Sequence, residues 1–290
     1  MRNRRHGASL IELILVLGII FLLTGLVLGA VQKARLQASK QVAMNKIKQV
    51  LLATHHYASI NNDTLPNTLG EPPSRGSVAD ALGPYLDPSA TSLQGSISWW
   101  RLSSDPSLSL SPQSTGAPAP FGLTDHIANV TSSLAMNPMV YATNTKLSVS
   151  FPDGQSNTIA ITEHYGICGP TTFEWSLVTV ICADGPLNKR VPCVGAPGHR
   201  ATFADTGFDD VVPVTTVRDS VATSVGSRAV TFQVRPPLSA CDPRVPQSSF
   251  PGGILVGLVD GSVRFIPSSI DHSIFWGAVT PDRGEIVALD

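Results

Sequence analysis

The sequence predicts an α+β fold: a long N-terminal helix, membrane-spanning in its first half and amphipathic in its second, packed on a mainly antiparallel β body. Three observations predict it. An apolar run from Leu10 to Val31 passes into a stretch with apolar residues at three- and four-residue steps. Beyond it, 24 glycines and 23 prolines in the whole chain, with only 14% charged residues, point to a loop-rich, strand-rich body. Near the C-terminus, ILVGLVDGSVRFI places Asp260 and Gly261 between two apolar runs, the mark of a β-hairpin.

The apolar run sets the relation to the membrane. As a helix, Leu10 to Val31 is roughly 33 Å long at 1.5 Å per residue, enough to cover a bilayer core of about 30 Å. A secretory signal has a shorter apolar region with small residues after it, whereas here Gly7 and Ala8 stand before the run. Gly18, Gly25 and Gly29 within it fit close helix contacts in lipid. Lys33, Arg35 and Lys40 after the span compete with Arg2, Arg4 and Arg5 before it. Long domains translocate regardless of such charges, so the N-terminus is expected in the cytoplasm.

Glu12 contradicts its surroundings. A carboxylate well inside a bilayer costs about 2.5 to 3.5 kcal/mol on insertion scales, so such residues usually face a partner. Cleavage after Gly7 would give Ala8 a new α-amino group, and that group on a neighbouring copy could meet Glu12. The plainer alternative places Glu12 among the lipid headgroups.

The second half of the helix follows in VQKARLQASKQVAMNKIKQVLLATHHYASI. Ala43, Ile47, Val50, Leu51, Thr54 and Ala58 share one face, and Lys40, Lys46 and Lys48 occupy others. A stop is expected near Asn61, Asn62 and Asp63, with Pro66 beyond. In the body, residues 78–86 read as a short helix and the Ser- and Pro-rich stretch 103–122 as a loop. Strands are expected at 146–151, 157–163, 173–181, 211–217 and 228–234, with Phe173, Trp175, Leu177 and Ile181 on one face. The Asp260–Gly261 turn is expected to be a two-residue type I′ turn.

Four cysteines, none in a C-x-x-C pair, lack the usual zinc and redox spacings. Outside the cytoplasm two disulfides become the natural reading, with three possible connectivities. Cys182 and Cys193 flank the short, turn-rich ADGPLNKRVP and are expected to pair, leaving Cys168 to Cys241; the rival is four buried thiols.

A net charge of -1 gives no electrostatic footprint for nucleic acid. No G-x-S-x-G elbow, P-loop or dinucleotide fingerprint occurs, and no enzyme activity is expected. Glu163 and His164 end a predicted strand, where neighbours face opposite sides, so an acid–base pair is not favoured. His55 and His56 read as polar residues near the helix end rather than metal ligands. Asp205, Asp209 and Asp210 with His199 form a loop cluster that could offer oxygens to calcium, but ATFADTGFDD lacks the D-x-D-x-D-G pattern. No cofactor and no metal are therefore expected, with calcium the one minor alternative.

The junction Gly7, Ala8, Ser9, Leu10, Ile11, Glu12 resembles the class III signal of type IV pilins and type II secretion pseudopilins. In that family a prepilin peptidase cuts after the glycine and methylates the new N-terminus, and a glutamate stands fifth in the mature chain, as Glu12 does counted from Ala8. The family's usual first residue is Phe, where this chain has Ala8, and Ser9 stands where Thr is common. The segments NKIKQVLLATHHY, FPDGQSNTIAITE and FPGGILVGLVDGSVRFIPSSIDHSIFWGAVTPDRGEIV resemble a large planctomycete pilin-like family with no established biochemical activity. Its tail commonly has a His ten residues before the Asp of its Asp-Gly turn. Phe250 occupies that place here, while Pro251, Gly252, Gly253, Asp260 and Gly261 match.

The resemblance implies a leader at 1–7, a pilin-like helix at 8–62 with its span at about 10–31, and an extracytoplasmic globular domain at 63–290. It also implies a single-pass inner-membrane protein, its C-terminal domain in the periplasm or on the cell surface, with a prepilin peptidase and other pilin-like subunits as partners. The alternative is a membrane-anchored surface binding module that never polymerises.

Overall fold

The computed structural model describes residues 10–68, 77–87, 97–110, 131–168, 171–174, 198–203, 231–282 and 289. Its first element, α1, is a 51-residue helix, Leu10–Ile60. The chain divides into two compact units, the first ending at Val42 and the second beginning at Ala43.

In the first unit every side chain from Leu10 to Ala38 is exposed, including Ile11 at 74% and Phe21 at 83%. A helix apolar on all sides has no single core face to bury and is suited to lipid. It is long and apolar enough to cross a membrane.

In the second unit α1 buries Ala43, Ile47, Val50, Leu51, Thr54 and Ala58, the face its periodicity predicts, widened by Ala53 and Tyr57. The helix stops where Asn62 (φ 53) and Asp63 (φ 65) turn left-handed, and the Asp63 N–H donates to the Ala58 carbonyl at 2.9 Å. Asn and Asp tolerate this conformation better than most residues. α2, Val78–Leu86, has Ser77 as N-cap with Asp80 completing a reciprocal capping box. α3, Ile97–Trp100, and a 3-10 turn, Pro106–Leu110, follow.

The central sheet contains β1 (Leu134–Met136), β2 (Ile159–Glu163), β8 (Gly253–Leu258) and β9 (Val263–Pro267), in that order and antiparallel throughout. β3 (Ile167–Cys168), β4 (Thr171–Glu174) and β5 (Gly198–Arg200) form a second small sheet. β6 (Gln233–Val234) and β7 (Gln247–Ser248) pair in parallel. The last helix, α4, His272–Val279, is capped by the Asp271 carboxylate accepting from the Ser273 N–H at 2.8 Å.

The central sheet is covered on both faces. Leu134, Met136, Ile161 and Leu255 pack with α1 and α2, whereas Ala135, Ile159, Ile254, Val256, Leu258 and Ile266 pack with Phe275, Trp276 and Val279 of α4. Burial on both faces explains why ILVGLV reads as one continuous apolar run rather than alternating.

Several expectations need correction. Residues 146–151 form turns, because Asp63 at the helix end captures this segment: its carboxylate accepts from the Ser148 N–H at 2.9 Å, and its carbonyl from the Leu147 N–H at 2.9 Å. Only Lys146 keeps a β-bridge, to Thr64. The Asp260–Gly261 hairpin forms, but its loop holds three residues, Val259 to Gly261, with Leu258 N–H to the Ser262 carbonyl at 2.8 Å and Gly261 N–H to the Leu258 carbonyl at 2.9 Å. Left-handed φ is confined to Gly261 (φ 83), so Asp260 need not bear that cost. Part of the loop expected at 103–122 is the 3-10 turn Pro106–Leu110. His199 lies in β5 opposite Phe173 rather than in a loop. Of the expected strand 228–234, only Gln233–Val234 pairs among the described residues. The expected strand 211–217, the rest of 173–181, and Asp205, Asp209 and Asp210 lie outside the described residues, as do Gly7, Ala8, Cys182 and Cys193.

Candidate functional site

Two features stand apart from ordinary core packing. The first is the start of α1. Glu12 lies in its first turn, where a carboxylate complements the unsatisfied N–H groups and positive dipole end of a helix. No lysine, arginine or histidine occurs in the sequence between Ala8 and Gln32, so α1 carries one carboxylate and no cation through its apolar part.

The second feature is a buried polar connector in the body. β2 ends at Glu163, and the chain leaves the central sheet through 164–166 to enter β3. Three consecutive N–H groups of the connector are then held by side chains instead of a strand. Tyr165 donates to Gln247 Oε1 at 3.2 Å, Gly166 to Asp105 Oδ2 at 2.9 Å and Ile167 to Ser107 Oγ at 3.0 Å. The preceding N–H, of His164, donates to the Ser133 carbonyl at 2.9 Å. Gly166 is required for the fit, since a Cβ there would lie 2.4 Å from Thr131 Cγ2. Cys168 closes the connector through a disulfide to Cys241, with Cα atoms 5.3 Å apart.

Asp105 is prepared for this role by its neighbours. Its Oδ1 accepts from the Ser107 N–H at 2.9 Å and Ser107 Oγ at 2.7 Å, a local Asx turn that opens the 3-10 segment at Pro106. Its Oδ2 also accepts from Ser133 Oγ at 2.7 Å. Burial pushes the Asp105 carboxyl above its ordinary range, and the hydrogen bonds from Gly166, Ser107 and Ser133 offset part of that rise.

Glu163 is fully buried at the other end of the connector. Its Oε1 accepts from Ser248 Oγ and from the Leu255 N–H, both at 2.8 Å, and its Oε2 accepts from the Ser249 N–H at 3.1 Å. One side chain on β2 thus binds β7, the β7–β8 loop and β8. Burial pushes its carboxyl up to about 7, against the pull of those three donors, and the nearby Asp105 charge adds to the rise. Burial and the Asp105 charge likewise push the Tyr165 hydroxyl up to about 12, with Arg235 acting in the opposite direction.

The sequence reading singled out Glu163 and His164 but treated them as an acid–base pair to be dismissed. In the structure Glu163 accepts from Ser248, Ser249 and Leu255, while His164 Nδ1 donates to the Tyr165 carbonyl at 2.7 Å. Asp105 and Gln247 were missed. The available signal was a carboxylate closing the apolar strand IAITE, a contradiction of the same kind as Glu12. His55 and His56 are separately used: His55 Nε2 donates to the Val259 carbonyl at 2.8 Å, and the His56 ring meets Tyr85 edge-on at 4.9 Å. Phe250 is buried in the α1-side core, and its N–H donates to Ser248 Oγ, the hydroxyl that in turn donates to Glu163.

Residues 101–273, more than half of the chain, match the family model described as "Protein of unknown function (DUF1559)". The match takes in Asp105, Glu163, Cys168, Cys241 and the Asp260–Gly261 hairpin, and it leaves α1 outside. No curated protein and no solved structure matches the chain. The chain belongs to the DUF1559 family.

Proposed function

We propose that the chain is a pilin-like or pseudopilin-like structural subunit of a type II secretion or type IV pilus-like system. In this reading a prepilin peptidase removes residues 1–7, the new N-terminus at Ala8 is methylated, and the subunit assembles in the inner membrane with other pilin-like subunits. The body beyond α1 is displayed in the periplasm or at the cell surface. The observation that supports it most is α1 itself: one continuous helix, exposed and apolar through Leu10 to Val31, with a single carboxylate in its first turn. Family membership and a helix able to span a membrane are compatible with the same reading.

Gly7→Leu tests the processing step, because the peptidase must fit the residue before the scissile bond. The variant is expected to accumulate as an uncut precursor in the membrane, while the wild-type chain gives a mature species starting at Ala8 by intact-mass measurement. A wild-type chain from its own host that still begins at Met1 would reject the processing step. Cysteines placed singly along residues 10–30 then test assembly, since a solitary membrane-anchored binding module gives no crosslinked ladder.

A further inference from the structure

The apolar run of α1 ends at Val31, and the helix then presents Lys33 and Arg35, both exposed. They differ from the other cations of the helix. Lys46 and Lys48 donate to the Arg101 and Gly261 carbonyls, both at 2.6 Å, and Lys40 is half-buried and already engaged. Among the described residues Lys33 and Arg35 make no hydrogen bond and no ion pair through their side chains. Nor can the helix supply one: no aspartate or glutamate occurs from Leu13 to Asn62, so neither cation has an acid three or four residues away.

The position of the two charges says what can compensate them. Lys33 and Arg35 stand beyond Val31 by about 3 and 6 Å along the axis, at 1.5 Å per residue. The polar layer outside a hydrocarbon core of about 30 Å is roughly 5 to 8 Å deep, so both lie within it, whereas Lys40, about 14 Å beyond Val31, clears it. At 3.6 residues per turn the two side chains leave the helix about 200° apart, so positive charge faces lipid on both sides. Lysine and arginine lay their aliphatic stems along apolar surface and keep the charged end in the headgroups. We propose that Lys33 and Arg35 form a cationic collar that binds anionic phospholipid headgroups at the C-terminal end of the span. The collar exists only if Leu10 to Val31 spans a membrane, as proposed above.

A second copy of α1 is a poor source of the counter-charge. In parallel alignment its one carboxylate, Glu12, is about 32 Å from Lys33 along the axis, at the opposite edge of the core. In a mature chain beginning at Ala8, Arg2, Arg4 and Arg5 are gone, which leaves Lys33 and Arg35 as the side-chain cations nearest either end of the span. A phosphodiester suits both, taking two parallel N–H donors from the Arg35 guanidinium and the Lys33 ammonium as a point charge.

Electron paramagnetic resonance on the full chain in phosphatidylcholine vesicles tests this, because it resolves spin-labelled lipid held at a protein from lipid in the bulk. Wild type is expected to hold spin-labelled phosphatidylglycerol over spin-labelled phosphatidylcholine by at least about threefold at low salt, and to lose most of that preference in about 1 M salt, where the screening length falls to about 3 Å. Replacing both residues, Lys33→Gln with Arg35→Gln, is expected to bring the ratio close to one. The exchange Lys33→Arg with Arg35→Lys is expected to keep the preference, as is Lys146→Gln, which removes an exposed cation of the body. A wild-type ratio near one, a preference that survives in the double glutamine variant, or one abolished by Lys146→Gln would overturn the collar while leaving the span intact. Should the double glutamine variant fail to insert, a wild-type preference that persists in about 1 M salt would overturn it instead. Held lipid of neither kind would reject the span itself, and the collar with it.

Discussion

Gly257 lies so close beneath α1 that a Cβ on it would come within 2.6 Å of Ile47 Cγ2 and 2.7 Å of Leu51 Cδ1. The contact fixes how near the second half of the helix approaches β8. Lys48 and His55, on the same helix, then reach the hairpin loop beyond, donating to the Gly261 and Val259 carbonyls at 2.6 and 2.8 Å.

Gly257→Ala should therefore force Ile47 and Leu51 apart from the sheet, at a cost of about 1 to 3 kcal/mol for overpacking a filled core. Gly261→Ala offers a contrast. There the nearest atom to a new Cβ is His55 Nε2 at 3.7 Å, but φ is +83°, so the cost is backbone strain of roughly 1 kcal/mol without a clash. Urea unfolding of both variants should rank Gly257→Ala as the less stable. The reverse ranking would mean that helix and sheet can separate freely at this point.

The Cys168–Cys241 disulfide joins residues 73 apart in sequence. Closing a loop of that size in the unfolded chain is worth about 4 kcal/mol on the chain-entropy account. Replacing both cysteines by serine should lower the unfolding midpoint accordingly, and peptide mapping without reduction should recover the 168–241 linkage together with Cys182 joined to Cys193. Two alkylatable thiols at 182 and 193 in unfolded, unreduced protein would exclude the second pair.

Much of the fold was legible because it follows periodicity. The face Ala43, Ile47, Val50, Leu51, Thr54 and Ala58, the stop at Asn62 and Asp63, and α2 over 78–86 all depend on residues within a few positions of one another. Residues 146–151 were misread for the opposite reason. KLSVSF alternates as a strand should, but the backbone and carboxylate of Asp63, 85 residues from Ser148, take the N–H groups that a partner strand would have used. The connector was illegible on the same ground. Asp105 is 61 residues from Gly166, and Glu163 is 92 from Leu255, so nothing local in either segment announces that a carboxylate will substitute for a strand. What the sequence did offer was the anomaly of Glu163 itself, a carboxylate at the end of five buried strand residues.

Glu12 presents that anomaly in the apolar half of α1, and it gives the sharpest test of assembly. If its partner is the α-amino group of Ala8 on an adjacent subunit, Glu12→Gln should still insert and be cleaved, because removing a charge from an apolar span makes insertion easier. Crosslinked oligomers should nevertheless become scarcer. Coulomb attraction between amine and carboxylate is strong in low dielectric, but desolvation offsets much of it, so the pair's main effect is to set register as one subunit moves along another. A solitary anchor predicts the opposite, since neutralising Glu12 would then be without effect or mildly stabilising. The measurement is ladder intensity from cysteines along residues 10–30, for wild type and Glu12→Gln at matched expression and confirmed cleavage. Equal ladders would remove the pairing role from Glu12, and no ladder in the wild type would favour the binding module over the structural subunit.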